Sequence, residues 1–394
     1  MPLAGRHIVI IPAWWPSPED PLAGVFFQDY ARMFADAGAK VGVIYPDLVS
    51  PRKLGRAAPV SLIPRTTFDE LGAVNVVRIR GLHTALGRPW LQMQRFRRWL
   101  RRGLAAYAKR FGRPHFLHAM CAIPSGWACT HLTDPLAKHV IITEHTGPFS
   151  LALTPGAAAP FVFEAIRKAS HVVAVSATLR AQMQEAGVKR EIRVIGNPVA
   201  SEFVRAPIDL STWSSEEARP LNALFVGRLV PEKGVRELID AASRLAGRLN
   251  IHWHLVGGGP QESEIAQTVA RLNLQDRVTL HGPLDRAVVC ERMADADFFV
   301  HPSHGETFGL SFAEALCMGL PFVATDVATQ PLSPRPEDGV LCKPGSAADL
   351  AAGIESLISK GLRENRTARA ELYRGRFASE SVAASYAKLF SAHS

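Results

Sequence analysis

The stretch HPSHGETFGLSFAEALCMGLPFVATD, residues 301–326, decides the fold of the second half of this chain. The apolar run just before it predicts a strand, and the Pro, Ser, His and Gly residues that follow predict a loop. The next apolar residues predict a helix over 310–318, which Gly319 and Pro321 end before another strand begins. Strand, loop, helix and strand in this order are typical of a parallel α/β sheet.

Two carboxylates, Glu306 and Glu314, lie on either side of the predicted helix start, with seven residues between them. We expect Glu306 in the loop at the carboxyl end of the strand, and Glu314 just over one turn into the helix. The backbone N–H groups offered at this helix start are those of Phe308, Gly309, Leu310 and Ser311. Free N–H groups at a helix N-terminus bind anions, so the segment predicts a diphosphate site.

Two further segments also follow predicted strands of the second half. The sequence FVGRLVPEKG, residues 225–234, places Arg228 just after a predicted strand and Lys233 just before a helix. Two cations at a strand end suit a diphosphate whose negative charge grows as its bond to a sugar breaks. The segment VGGGP, residues 256–260, again follows a strand and by itself predicts only a turn.

Short β-branched runs alternate with helical patterns along the whole chain, and the pattern restarts near residue 200. The Pro-, Ser- and acid-rich segment 197–219 is interpreted as a linker. We therefore predict an α/β protein of two Rossmann-like domains, over 1–199 and 200–370, facing each other across a cleft. Residues 371–394 are predicted to form a C-terminal helix that packs back on the N-terminal domain. Ligands of such sheets bind at the carboxyl ends of the strands.

The three segments, in this order, resemble the donor-binding domain of the GT-B glycosyltransferases of family 4, the glycosyl transferases group 1. The resemblance is specific over residues 221–357 and looser elsewhere. It implies a retaining enzyme that moves a sugar from a nucleotide-diphosphate sugar to an acceptor. The basic first half of the chain, described below, favours a glycan or lipid-linked acceptor in cell-surface polysaccharide synthesis. The resemblance also implies that no metal or other cofactor is required, and the absence of a DxD-like motif at a strand end agrees with this.

The resemblance assigns roles to the residues of the second half. Glu306 would contact hydroxyls of the donor sugar and act in catalysis, while Glu314 would bind the ribose hydroxyls. Arg228 and Lys233 would hold the diphosphate together with the N–H groups at the helix start. One departure limits this transfer, because residues 327–331 read VATQP where the family commonly has two glycines followed by a glutamate. The identity of the donor sugar therefore does not follow from the resemblance.

The first half matches the family at fewer positions. Gly24 matches the glycine before the first long helix, which approaches the donor phosphate. His145, in the segment TEHTG at a strand end, matches the histidine beside the donor sugar and is a predicted catalytic residue. Asn197 and Pro198 resemble the hinge segment between the two domains. In the family, this N-terminal domain binds the acceptor.

Charge is divided unevenly between the halves of this chain of net charge +9. Residues 1–200 carry 25 basic and 12 acidic side chains, whereas the rest carries 20 and 24. The predicted helix 90–110 mixes a Trp/Leu stripe with arginines, and it is interpreted either as a packed helix with solvated arginines or as a contact with an anionic membrane. The basic half indicates that the acceptor, or the membrane that holds it, is negatively charged.

The remaining features favour a cytoplasmic protein, peripheral at most on the inner face of the membrane. The five cysteines form no CxxC pair, and no apolar run reaches the 18 residues of a membrane span. Two other functions stay open. A sugar-nucleotide 2-epimerase shares the architecture but needs no acceptor. A nucleic-acid-binding protein would fit the pI of 9.6, although the sequence contains no recognised nucleic-acid-binding module.

Overall fold

A computed structural model describes residues 1–17, 20–21, 23–49, 63–82, 88–132, 139–153, 158–208, 219–361 and 365–391. The chain forms two compact units. The first unit comprises residues 1–198 and 380–394, and the second unit comprises residues 199–379. Residues 209–218 of the predicted linker lie outside the described residues. The chain thus enters the second unit one residue before the predicted boundary and leaves it nine residues after residue 370.

Fourteen strands are present in the described residues, eight in the first unit and six in the second. The strands of the first unit are β1 (His7–Ile11), β2 (Lys40–Val49), β3 (Arg65–Leu71), β4 (Val74–Leu82), β5 (Phe116–Met120), β6 (His139–Glu144), β7 (His171–Ala174) and β8 (Arg193–Val194). Those of the second unit are β9 (Leu221–Val226), β10 (Ile251–Val256), β11 (Val278–Gly282), β12 (Phe298–His301), β13 (Phe322–Thr325) and β14 (Gly339–Cys342).

Helices connect most of these strands. Those that precede the second sheet are α1 (Val25–Asp36), α2 (Pro89–Phe111), α3 (Trp127–Thr130), α4 (Ser150–Leu153), α5 (Ala159–Lys168), α6 (Ala177–Glu185) and α7 (Ser201–Arg205). The others are α8 (Val235–Leu245), α9 (Glu262–Arg271), α10 (Arg286–Asp295), α11 (Leu310–Cys317), α12 (Asp326–Thr329), α13 (Ala347–Ser359), α14 (Arg366–Phe377) and α15 (Ser379–Ser391).

Each unit contains one twisted sheet of Rossmann type, as the alternating pattern predicts. The first sheet has the order β3-β4-β2-β1-β5-β6-β7-β8, and all its pairs are parallel except β3 with β4. The second sheet has the order β11-β10-β9-β12-β13-β14 and is fully parallel. The strand order reverses between β1 and β5 in one sheet and between β9 and β12 in the other. A crevice opens at such a reversal, at the carboxyl ends of the strands.

Two strands were not predicted from the sequence. Strand β3, of sequence RTTFDEL, is a half-exposed edge strand with little apolar signal, and it pairs antiparallel with β4 across Gly72. Strand β14 is only four residues long and follows a stretch of turn residues. Both lie at sheet edges, where burial imposes the weakest sequence pattern.

The predicted C-terminal helix over 371–394 is wrong in its extent. The chain forms two helices, α14 and α15, because Ala378 adopts an extended backbone conformation with ψ 147°. Helix α14 belongs to the second unit, whereas α15 lies in the first-unit core with β1 and α1. The residues of α15 buried there are Val382, Ala383, Tyr386, Leu389 and Phe390, which form one face of the helix. Residues 392–394 lie outside the described residues.

Candidate active site

The candidate site of the second unit lies where the strand order reverses, between β9 and β12. Arg228 follows β9 by two residues, and the loop after β12 carries Glu306. Lys233 lies just before α8, the helix that follows β9. The Nζ of Lys233 donates to Oε1 of Glu306 at 2.5 Å. The fold therefore brings together two charged residues that are 73 positions apart in the sequence.

A third side chain, His301, joins this pair from the last residue of β12. Its Nε2 lies 3.0 Å from the same oxygen of Glu306, although the two groups are not aligned as a hydrogen bond. The ring stacks on Phe312 of α11 at a centroid distance of 5.3 Å, and the residue is 1% exposed. His301 thus forms one wall of the pocket around the carboxylate.

Glu306 is ionised in this setting. Burial raises the pKa of its carboxyl group, but the neighbouring His301 and Lys233 outweigh burial and hold that pKa at about 2. An ionised carboxylate with one oxygen occupied by Lys233 can still accept hydrogen bonds at its other oxygen. Such a group suits the hydroxyls of a sugar.

The start of α11 has the geometry that the sequence predicts. Gly309 is the N-cap residue of the helix, with φ 79° in the left-handed region, and as a glycine it has no side chain that could cap the first N–H groups. Leu310 and Ser311, the first two helical residues, are half-buried. Phe308 is buried and packs edge-on against Phe377, so only its backbone is available to a ligand. Glu314 lies within α11 and is 8% exposed.

Close backbone contacts fix the loops that carry these groups. Gly234 has φ 67°, and a Cβ at this position would overlap the carbonyl oxygen of Pro302. Ser303 Oγ donates to the carbonyl oxygen of Glu232, and Thr325 Oγ1 donates to that of Ser303. The loops after β9, β12 and β13 are therefore tied to one another, which holds Lys233 against Glu306.

Close backbone contacts explain why glycines occupy the segment VGGGP, residues 256–260. A Cβ on Gly257 would overlap the carbonyl oxygen of Gly227, and one on Gly259 would lie too close to the carbonyl of Leu229. The segment after β10 thus packs directly against the backbone on both sides of Arg228. All three sequence segments meet at one edge of the second sheet.

Arg228 differs from Lys233 in being exposed. Within the described part of the chain, its side chain forms neither an ion pair nor a hydrogen bond. An exposed cation without a protein partner, beside an uncapped helix start, leaves positive charge available to an anion. The divergent segment 327–331 follows β13 and lies largely in α12, whose first turn is capped by Thr325 Oγ1.

The first unit carries the other predicted catalytic residue, His145, directly after β6. Its ring lies against three aromatic rings of α1, those of Phe26, Phe27 and Tyr30, at centroid distances between 5.2 and 5.7 Å. The Nε2 atom is buried and has no hydrogen-bond partner among the described residues. Burial, with a smaller contribution from His118, lowers the pKa of His145 to about 3, so the imidazole is neutral.

Gly24 and the predicted hinge lie around the same helix. Gly24 caps α1 with φ 69°, and a Cβ there would press on the carbonyl of Trp14. Asn197 is buried, and its Oδ1 accepts a hydrogen bond of 3.0 Å from the hydroxyl of Tyr30. Pro198 is the residue at which the first unit ends before the chain enters the second.

Two residues of these sites, His301 and Glu144, were not predicted from the sequence. His301 belongs to the quoted motif and ends a strand at the reversal point, and that position is the signal that could have identified it. Glu144 ends β6 next to His145, but its role depends on backbone atoms of another loop, for which the sequence has no signal. Among the described residues, no group of three or more His, Cys, Asp or Glu side chains has the geometry to hold a metal ion.

Comparison with known proteins agrees with this architecture. The family model described as Glycosyltransferase Family 4 matches residues 23–203, and the model described as Glycosyl transferases group 1 matches residues 220–360. The chain is 30% identical to the glycogen synthase of Mycobacterium tuberculosis over 193 residues, 47% of each chain, so that match spans about half of the relative's length. It is 26% identical over 369 residues, 88% of each chain, to TuaC of Bacillus subtilis, assigned as a glycosyltransferase of teichuronic acid biosynthesis.

A solved structure extends the comparison to the whole fold. HepE from Anabaena, in complex with UDP and glucose, superposes with a TM-score of 0.69 at 20% identity, covering 98% of this chain and 100% of that one. At this identity the likeness concerns the fold alone. Because the two family descriptions together cover most of both units, the chain belongs to glycosyltransferase family 4 and has the GT-B fold.

Proposed function

We propose that this protein is a retaining glycosyltransferase that moves a sugar from a nucleotide-diphosphate donor to a glycan or lipid-linked acceptor in cell-surface polysaccharide synthesis. One observation carries the proposal. The ionised, half-buried Glu306 is held by Lys233 at the strand-order reversal of the second sheet, where the exposed Arg228 and a helix start with a glycine as its N-cap residue also lie. Cations and N–H groups there would hold a diphosphate, and the carboxylate would hold a sugar.

The positive charge at this site favours cleavage of the bond between the sugar and the diphosphate. As the bond between the anomeric carbon and the diphosphate breaks, negative charge grows on the leaving oxygen. Arg228, Lys233 and the α11 N-terminus would stabilise that charge, and this gain is larger in the transition state than in the bound donor. These fixed cations are the reason we propose transfer without a required metal.

Retention is proposed to follow from attack on the face that the leaving group occupies. The acceptor oxygen forms its bond to the anomeric carbon, the bond to the diphosphate breaks, and a phosphate oxygen takes the proton of the acceptor hydroxyl. Glu306 is a poor nucleophile because Lys233 and His301 surround it and lower its pKa. The neutral His145 is proposed to contribute to this step by a hydrogen bond to the donor sugar.

A turnover assay tests the proposal. We expect wild-type protein to release nucleotide from one member of a panel of UDP-, GDP- and ADP-sugars, in the presence of EDTA, with the anomeric configuration kept in the transferred sugar. Release of a modified nucleotide sugar without transfer would indicate the 2-epimerase instead. The absence of turnover with every donor, together with salt-sensitive retention on DNA, would favour the nucleic-acid-binding alternative.

The positive charge of the first unit favours an anionic acceptor or an anionic membrane surface as its partner. The exposed face of helix α2 limits where a membrane contact could form. Its apolar stripe, including Phe96, Trp99 and Leu104, is buried against the sheet, so the stripe itself is not available to lipid. Arg97 donates to the carbonyl oxygen of His131 and lies over the Trp127 ring. The described residues include no helix long and apolar enough to cross a bilayer.

What remains exposed on α2 is a basic face with an aromatic residue at one end. Trp90 is 57% exposed, and Arg98, Arg101 and Arg102 are exposed along the helix. We propose that these groups contact anionic lipid. Sedimentation with phosphatidylglycerol vesicles should fall for the Arg98, Arg101 and Arg102→Ala triple variant and at high salt. A matched control removes the exposed Arg244, Arg248 and Arg271 of the second unit, and equal binding by both variants would refute the contact.

A further inference from the structure

Glu144 is a buried carboxylate that accepts hydrogen bonds from three backbone N–H groups. It is the last residue of β6 and is 0% exposed. Its Oε1 accepts hydrogen bonds from the N–H groups of His145 at 3.0 Å and Thr146 at 2.8 Å. Its Oε2 accepts one from the N–H of Ala122 at 2.8 Å. Glu144 forms no ion pair with a Lys, Arg or His side chain among the described residues.

Burying a carboxylate costs free energy of folding unless hydrogen bonds within the protein replace those to water. A buried carboxylate loses its hydration, and here three N–H donors replace the lost water. The same three bonds satisfy the first free N–H groups after two neighbouring strands, β5 and β6. The side chain therefore acts as a clamp between two loops at the carboxyl edge of the first sheet.

The loop on the β5 side is itself strained. Cys121 is not a glycine but has φ 82° and ψ 150°, a conformation that residues with a side chain rarely adopt. Its N–H bonds to the carbonyl oxygen of Thr143, and the following N–H, that of Ala122, bonds to Glu144. Two consecutive N–H groups of this strained segment are thus held by two consecutive residues of β6.

The loop on the β6 side carries His145. Because Glu144 accepts hydrogen bonds from the N–H groups of His145 and Thr146, it restrains the backbone of the histidine at this point. The ring then lies against Phe26, Phe27 and Tyr30 with a buried Nε2 that has no partner among the described residues. The aromatic contacts alone would leave the orientation of the ring plane loosely defined. The hydrogen bonds of Glu144 add a restraint on the His145 backbone, from which the ring extends.

We infer that Glu144 is a positioning residue for His145, and that its carboxylate sets the imidazole in the place from which it serves sugar transfer. The inference rests on the proposed function. Glutamine in place of Glu144 keeps the shape but has one acceptor oxygen instead of two. Its NH2 group must then face either the N–H of Ala122 or the N–H groups of His145 and Thr146, so at least one donor loses its acceptor.

A double-mutant cycle tests the inference in the full chain, with the nucleotide sugar that wild type turns over. Glu144→Gln should lower kcat by about 10- to 100-fold, the loss expected from a displacement of about 1 Å, while KM for the donor stays within about twofold. In the His145→Ala background, the same change should cost less than about twofold, because the residue acts through the histidine. Losses that multiply in the double variant would overturn the positioning role.

Thr143→Val is the matched control. It removes a buried hydrogen bond to His118 and Tyr386 one residue earlier on the same strand, but leaves the clamp in place. If Glu144 is only structural, this control and Glu144→Gln should lower the melting temperature and kcat in the same proportion. We expect the control to lose stability while keeping most of its turnover.

A second measurement separates this inference from the proposed function. In protein labelled with 15N-histidine, the His145 ring signals should shift or broaden in Glu144→Gln and stay in place in Thr143→Val. Unchanged His145 signals in Glu144→Gln would overturn the inference even if the enzyme is active. If wild type turns over no nucleotide sugar but the signals shift, the proposed function fails and the positioning of the ring stands.

Discussion

The two candidate sites hold their central side chains by opposite electrostatic means. In the second unit, Glu306 stays charged because Lys233 and His301 outweigh its burial. In the first unit, His145 stays neutral because the aromatic rings of α1 bury it. The difference shows that one sheet architecture can provide either a charged or an uncharged group at the carboxyl ends of its strands, depending on the side chains around it.

The largest expected effect concerns the charged site. Glu306→Gln keeps the volume of the side chain but removes the charge that Lys233 faces, so turnover should fall by about 10²–10³-fold, as when one charge-stabilising group is lost from an active site. Nucleotide release measures this effect. The control Glu237→Gln removes an exposed Glu–His pair of the same unit, with His304, and should retain wild-type turnover. Near-normal turnover by Glu306→Gln would remove Glu306 from the site.

The same comparison predicts a smaller loss at the neutral site. His145→Ala removes one hydrogen-bonding group and no net charge, and we expect turnover to fall by about 10- to 100-fold, less than for Glu306→Gln. Both variants are measured with the same donor at saturating concentration. If the histidine variant loses more activity than the glutamate variant, the first unit carries the larger share of catalysis and the comparison is reversed.

Two glycines of the second unit, Gly234 and Gly375, should respond in opposite ways to substitution by alanine. Gly234→Ala places a Cβ against Pro302 at φ 67°, so the free energy of unfolding should drop by about 1–3 kcal/mol. Gly375→Ala, within α14 and with no neighbouring atom within 4 Å, should instead raise that free energy by up to about 1 kcal/mol. Chemical denaturation compares the two variants, and equal effects would show that the loop contact does not matter.

Acid stability should depend on two histidines of the first unit, the buried His118 and the half-buried His145. His118 and His145 have a folded-state pKa of about 3, well below the ordinary 6.5. Between these values the unfolded chain binds more protons than the folded one, so stability is full above about pH 6.5 and is lost as pH falls towards about 3.

Each of these histidines should contribute up to about 2 kcal/mol of this loss between about pH 7 and about pH 5. The melting temperature of His145→Ala should therefore fall less steeply over that range than the melting temperature of wild type. Parallel curves for the two proteins would show that His145 is protonated in the folded state as readily as in the unfolded chain.

The sequence and the structure agree best where each part of a site belongs to a short segment at a strand end. The predicted diphosphate site depends on strand ends, glycines and a helix start, all of which are local, and Glu306, Lys233 and Gly309 meet as expected. The clamp of Glu144 and the enclosure of His145 depend on contacts between β5, β6 and α1, which no local pattern encodes. The split of the C-terminal segment into α14 and α15 was missed because a single extended residue, Ala378, ends one helix and starts the next.

We propose that the second unit binds a nucleoside diphosphate through the positive charge left free at its strand ends. Calorimetric titration of UDP, GDP and ADP into wild type and Arg228→Ala tests it most directly, because Arg228 is exposed and its loss should not disturb the fold. Arg236→Ala, which removes an exposed arginine of α8, is the control. We expect one of the three nucleotides to bind wild type and the control equally and to bind Arg228→Ala about 10- to 100-fold more weakly. Equal affinity for all three proteins, or no binding of any nucleotide to wild type, would contradict it.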